Sequence, residues 1–265
     1  QGMRPFCAIY STFLQRALLQ NRARLAEAGI AYPHDGGKHP GNARHIAELD
    51  AATFEALFDG GAHTVFLSHE DLFALEKEAK SLSRLARVAG VRLRKLVFLR
   101  PWSAFCFGDY SQHMKQNFEV YLASRAPFDG KTFEEMAAAR AERVDAVEFF
   151  LRWARVVPIP PLTIARHDRI PETVEAMLGV TGLDWQVPRD RVNPSLRMVD
   201  CEAIAAMMRD PAIPDDEIRA ALKTAFLNAG QPDPGRSPAR IAAVEAMFDR
   251  QNRALLTVYG FDNRA

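Results

Sequence analysis

Apolar positions along the chain follow two alternating rhythms. Residues 5–10 (PFCAIY) form a short apolar run of strand-forming residues, which predicts a buried first strand. From Ser11 the rhythm becomes helical, with Phe13, Leu14, Ala17, Leu18, Leu25 and Ala28 recurring on one face. Ser11 or Thr12 supplies the cap, and Gly29 stands where a left-handed residue closes a helix. The stretch 31–48, rich in Gly, Pro and His, predicts a long loop entering a helix over 43–58. A second strand is predicted over 63–67, running into Ser68-His69-Glu70-Asp71, with a helix over 72–89 closed by Gly90. Residues 91–100 (VRLRKLVFLR) end in a third strand that Pro101 stops, and helices follow over 109–125 and within 129–157. Prolines break the pattern at 158–161, and LTIAR (162–166) reads as a fourth parallel strand. Helices dominate from there on, with loops at 182–194 and 229–238. Short strands alternating with longer helices predict the α/β class: a parallel sheet flanked by helices, with a helical C-terminal part.

Composition narrows the partners. Of the 265 residues 48% are apolar, enough for a substantial core, and 34 basic residues nearly balance 33 acidic ones. A net charge of +1 gives no global field for nucleic acid or an anionic membrane, so an anion site must be a local arrangement of donors. Cys7, Cys106 and Cys201 are scattered and odd in number, which favours a reducing compartment over a disulfide framework. No apolar run approaches the roughly 18 residues of a membrane span. A cytoplasmic protein without integral membrane contact is the expectation. Gln1-Gly2-Met3 reads as a protease-site remnant with Met3 as the start, leaving 4–265 as a single domain.

In an open parallel sheet, ligands collect beyond the carboxyl ends of the strands, so three strand ends matter. At the first, Ser11 and Thr12 open a helix whose unpaired N–H groups and partial positive charge suit a phosphate. At the second, His69 and Glu70 adjoin, and either is able to take a proton from an acceptor hydroxyl. As neighbours on a strand, at most one of them aims into a cleft; as a helix start, Ser68 is a cap and Glu70 a dipole partner. At the third, Arg100 offers a guanidinium fork suited to bidentate phosphate binding, although a lone arginine more often forms a surface ion pair. GGKHPG (36–41) lacks the order of a phosphate loop and reads as a mobile loop. The spacings of His34, His39 and His45 match no metal-ligand pattern.

Taken in order, these segments resemble the bacterial branch of the P-loop sulfotransferase family. There a first strand meets a loop H-x-K-T-G-T/S-T, then x-L-Q and an amphipathic helix ending near G-[IV]-x-Y-P. This chain has Ser11-Thr12-Phe13-Leu14-Gln15 and then Gly29-Ile30-Ala31-Tyr32-Pro33. LSHED (67–71), VFLRPW (97–102), YSQ with Lys115 (110–115), VNPS (192–195) and a C-terminal helix leading to Phe261-Asp262 extend the likeness over nearly the whole length. The resemblance implies a three-layer P-loop NTPase-like fold and transfer of a sulfuryl group from 3′-phosphoadenosine 5′-phosphosulfate (PAPS) to a small-molecule or carbohydrate acceptor, with no metal. It places Ser11 and Thr12 on the 5′-phosphosulfate and Arg100 on the 3′-phosphate, and makes Glu70 the first and His69 the second choice of base. The family's partner serine for the 3′-phosphate falls on Gly108, so Ser103 or Ser111 is the substitute. The family's loop lysine and glycine have no counterpart: Tyr10 runs directly into Ser11, where a loop of several residues is missing relative to the pattern. A P-loop nucleotide kinase using Mg²⁺ and ATP, or a degenerate nucleotide-binding protein, are the alternative readings.

Overall fold

The structure is a computed structural model and describes residues 4–9, 12–43, 45–69, 79–156, 162–188 and 193–264. The chain divides into two compact units, each built from two segments: 1–99 with 146–192, and 100–145 with 193–265.

The first unit is α/β. Its strands are β1 (Arg4–Ile9), β2 (Ile30–Ala31), β3 (Thr64–Ser68), β4 (Val91–Leu99) and β5 (Leu162–Arg166). They form one sheet in the order β2-β3-β1-β4-β5, and each pair is parallel. The helices are α1 (Thr12–Gln20), α2 (Arg22–Glu27), α3 (Ala51–Ala56), α4 (Ala79–Val88), α8 (Ala146–Val156) and α9 (Ile170–Leu178). Strand alternation sorts the core in two. Val65, Leu67, Val91 and Leu93 pack with Phe54 of α3, with Leu82 and Ala86 of α4, and with Trp153 of α8. Phe66, Leu96 and Phe98 pack instead with Leu14 and Leu18 of α1, Leu25 of α2 and Val174 of α9. Both sheet faces are therefore apolar, as parallel strands covered by helices require.

The second unit is helical: α5 (Trp102–Gln116), α6 (Phe118–Ser124), α7 (Phe133–Arg143), α10 (Met198–Arg209), α11 (Asp215–Asn228), α12 (Pro238–Met247) and α13 (Asp249–Tyr259). Aromatic pairs hold its centre: Trp102 stacks on Phe248 at 4.7 Å and Phe107 on Phe133 at 5.0 Å. Thr132 and Glu135 close a capping box on α7, and the Ser237 side chain caps α12 ahead of Pro238.

The predicted strands over 5–10, 63–67, 91–100 and 162–166 correspond to β1, β3, β4 and β5 within one or two residues. The two-residue β2 has no counterpart among them. The helix expected over 43–58 is not continuous: one 3₁₀ turn spans Ile46–Glu48, and Asp50 starts α3 with a capping box to Thr53. The helix expected from 109 begins at Trp102, directly after Pro101, and yields to α6 at Asn117. Of the helix expected over 72–89, residues 72–78 lie outside the described residues.

Candidate functional site

Strand order fixes where the first unit can bind. From β1 the chain passes to the β2–β3 side of the sheet, whereas from β4 it passes to β5 on the other side. Adjacent strands whose connections diverge open a crevice at their carboxyl ends, here those of β1 and β4. Residues 10 and 11, the link from β1 to α1, lie outside the described residues, and Ser11 with them. Thr12 is the first residue of α1 and is half-buried.

Three residues on, α1 carries an unusual polar pair. Gln15 is 0% exposed, yet neither its Oε1 nor its Nε2 has a hydrogen-bond partner. Buried amides are nearly always paired, because an unpaired one loses its hydration without replacement. Arg16 is beside it. Its Nε is buried without a partner, and its Nη2 reaches only the Lys38 carbonyl, at 3.4 Å. Gln15 stands within a sequence motif, but Arg16 next to it is absent from the residues predicted to bind. A glutamine at the buried edge of an amphipathic helix was the available signal.

The segment 36–41, expected to be a mobile loop, is docked on β3 through Asn42, the residue after it. Beyond Ala31 the β2 ladder ends, since β2 pairs only with Thr64 and Val65. Asn42 continues it with a side chain: Nδ2 donates to the Phe66 carbonyl at 2.8 Å, and Oδ1 accepts from Ser68 N–H at 2.7 Å. The Asn42 backbone N–H donates to the Ser68 carbonyl at 2.9 Å. Tyr32 Oη donates to the Pro40 carbonyl at 2.7 Å, and burial raises that phenol's pKa strongly. The approach is so close that a Cβ at Gly41 would lie 2.9 Å from the Ser68 carbonyl oxygen.

This docking covers one predicted base. His69 is buried at the end of β3, with the ring of exposed His39 stacked over it at 4.9 Å. His39 Nδ1 accepts from Gly41 N–H at 3.1 Å, which puts the ring N–H on Nε2. Glu70 lies outside the described residues. Lys95 of β4 is in register with Ala8, one residue before the end of β1, and burial lowers its pKa.

The remaining predicted residues belong to the second unit. Arg100 is exposed, and its carbonyl accepts from Asn263 Nδ2 at 3.0 Å. Ser103 gives both its donors to one carboxylate oxygen: N–H and Oγ–H reach Glu245 Oε1 at 2.7 and 2.6 Å. Glu245 thus sits at the N-terminus of α5, where an anion belongs. Ser111 is fully buried, and its Oγ accepts from Leu196 N–H at 2.7 Å. Both hydroxyls are engaged internally. Two further quoted motifs do meet: Asn193 Nδ2 donates to Gln112 Oε1 at 2.8 Å, and Lys115 Nζ donates to the Asn193 side chain and the Pro194 carbonyl. Among the described residues no group of three or more His, Cys, Asp or Glu is placed to hold a metal ion, and no helix is long and apolar enough to cross a membrane.

No family model matches the chain, and no curated protein matches it in sequence. Among solved structures it is similar to the crystal structure of a sulfotransferase from Alicyclobacillus acidocaldarius, at 15% identity and a TM-score of 0.39, over 96% of this chain and 98% of that one.

Proposed function

We propose that this protein is a sulfotransferase of three-layer P-loop type that takes its sulfuryl group from PAPS. The observation that carries the reading is the place of α1. It follows the central strand of a parallel sheet after a two-residue link, at the point where the strand order diverges, and its first turn holds the ordered Thr12-Phe13-Leu14-Gln15 motif. A helix N-terminus there offers backbone donors to an oxyanion without a metal.

In the proposed reaction the acceptor's oxygen forms a bond to sulfur while the bond from sulfur to the 5′-phosphate breaks. The acceptor proton passes to a base, Glu70 or His69, and adenosine 3′,5′-bisphosphate leaves. Ser11, Thr12 and the opening N–H groups of α1 stabilise the charge gathering on the leaving phosphate. Arg100 is assigned to the 3′-phosphate on its motif. Ser103 and Ser111 are weaker assignments, because a ligand would have to displace the Glu245 carboxylate or the Leu196 N–H from them. The acceptor offers a hydroxyl, or an amine in the same role, on a small molecule or carbohydrate.

Calorimetric titration with adenosine 3′,5′-bisphosphate tests the reading. The wild type binds it without Mg²⁺, and Arg100→Ala weakens binding by about 10-fold or more, the worth of a charge-assisted pair. Binding of ATP only with Mg²⁺, and none of the bisphosphate, would replace this reading with that of a nucleotide kinase.

A further inference from the structure

The first two turns of α1 hold more unsatisfied polarity than a structural helix needs. Gln15 is the fourth helical residue and is completely buried, with both amide atoms unpartnered. Helical side chains lean toward the N-terminus and cover the turn before their own Cα, a rule that directs a residue at this position toward the opening of α1. Arg16 has no carboxylate within ion-pair distance among the described residues, and its Nε is buried and unpartnered. Its 3.4 Å contact to the Lys38 carbonyl is too long to satisfy a guanidinium. Lys38 is exposed in a segment that Asn42 fastens to the end of β3 and that Tyr32, just past β2, holds by the Pro40 carbonyl. The adjacent His39 presents Nε2–H as a donor. Arg16 brings a cation to this end of the helix, with the backbone of exposed Lys38 beside it, and the buried amide has an unused donor. The charge and hydrogen-bond deficits both call for an oxyanion.

We propose that Gln15 and Arg16 are ligands of the donor's 5′-phosphosulfate, with Arg16 supplying the positive charge that the family pattern assigns to a loop lysine this chain lacks. The inference rests on the PAPS reading and names the residues of its 5′ end. The Arg16 guanidinium pairs with the phosphate oxygens, and the Gln15 Nε2–H donates to the same group.

Separate probes for the two ends of the nucleotide make the test specific. Arg16→Ala, Arg16→Lys and Gln15→Leu are titrated with adenosine 3′,5′-bisphosphate, adenosine 3′-monophosphate and inorganic pyrophosphate, and their melting temperatures are recorded without ligand. Arg16→Ala weakens the bisphosphate by about 10- to 100-fold and leaves the 3′-monophosphate unchanged, while Arg16→Lys recovers most of the loss. Gln15→Leu keeps the volume and removes the orphaned amide, so the free protein melts about 2–6 °C higher while its bisphosphate affinity falls. A merely structural glutamine gives the opposite sign of melting shift. Unchanged bisphosphate binding in Arg16→Ala, or a lowered melting temperature in Gln15→Leu, overturns the assignment of that residue while leaving the PAPS reading in place. If the wild type ignores the bisphosphate, the donor reading falls. Pyrophosphate then decides the site: binding that Arg16→Ala abolishes upholds an oxyanion site, and no binding ends both proposals.

Discussion

Replacing Asn42 tests how the 36–42 segment is fastened beside α1. Its carboxamide makes two hydrogen bonds to β3, at 2.8 Å to the Phe66 carbonyl and 2.7 Å from Ser68 N–H. Phe66 and Ser68 are both 0% exposed, so water cannot easily replace the lost partner. Asn42→Ala removes two neutral hydrogen bonds and leaves one buried donor and one buried acceptor unpaired, a cost of about 2–4 kcal/mol. Asn42→Asp is sharper. A carboxylate still accepts from Ser68 N–H but faces the Phe66 carbonyl with no hydrogen to give, so the variant loses at least as much stability at neutral pH. Protonation restores a donor, which raises the pKa of the introduced carboxyl in the folded state above its unfolded value. The restored stability is therefore complete below the unfolded pKa and disappears as pH rises through the folded one. Urea unfolding followed by fluorescence, with Trp153 and Trp185 in the same unit, reads both effects. An Asn42→Ala variant within about 0.5 kcal/mol of wild type, or an Asn42→Asp variant equally stable at about pH 5 and pH 8, refutes the clamp.

Two further outcomes follow from other contacts. Glu175 Oε1 accepts from Trp185 Nε1–H at 3.0 Å and from Leu183 N–H at 2.8 Å, and the tryptophan hydrogen bond is the main reason its pKa is lowered. A depressed carboxylate contributes stability above its unfolded pKa of roughly 4.3 that is lost as pH falls through the folded value, so Trp185 emission changes below about pH 4. Glu175→Gln flattens that response. Glu245→Ala strips the N-terminus of α5 of its acceptor and leaves Ser103 N–H and Oγ–H unpaired, which lowers unfolding free energy by about 1–3 kcal/mol in denaturant titration.

Much of the sheet was legible because each of its longer strands is a local pattern. Apolar runs bounded by Gly90 and Pro101, or by the prolines before Leu162, mark β4 and β5 without tertiary information. The left-handed end of the first helical region was equally plain: Gly29 has φ +69°, and a Cβ there would lie 2.6 Å from the His63 ring. The 43–58 region misled because Ala43, Ile46, Phe54 and Phe58 all enter one core cluster at helix-compatible spacing while Asp50 and Thr53 interrupt the backbone between them. β2 escaped notice because two residues carry no periodicity. The site was harder still. The hydroxyls of Ser103 and Ser111 find partners 142 and 85 residues away, and Asn42 reaches Phe66 and Ser68 across 24 and 26 residues. Long-range polar pairing leaves no mark on local pattern, whereas the motif around Thr12 and Gln15 does.

A crystal structure with adenosine 3′,5′-bisphosphate bound shows which end of the sheet receives the 5′-phosphate. The 5′-phosphate is expected at the carboxyl end of β1, with an oxygen within about 3 Å of the opening N–H groups of α1. A nucleotide seated elsewhere, with the first turn of α1 free of phosphate, would contradict that placement.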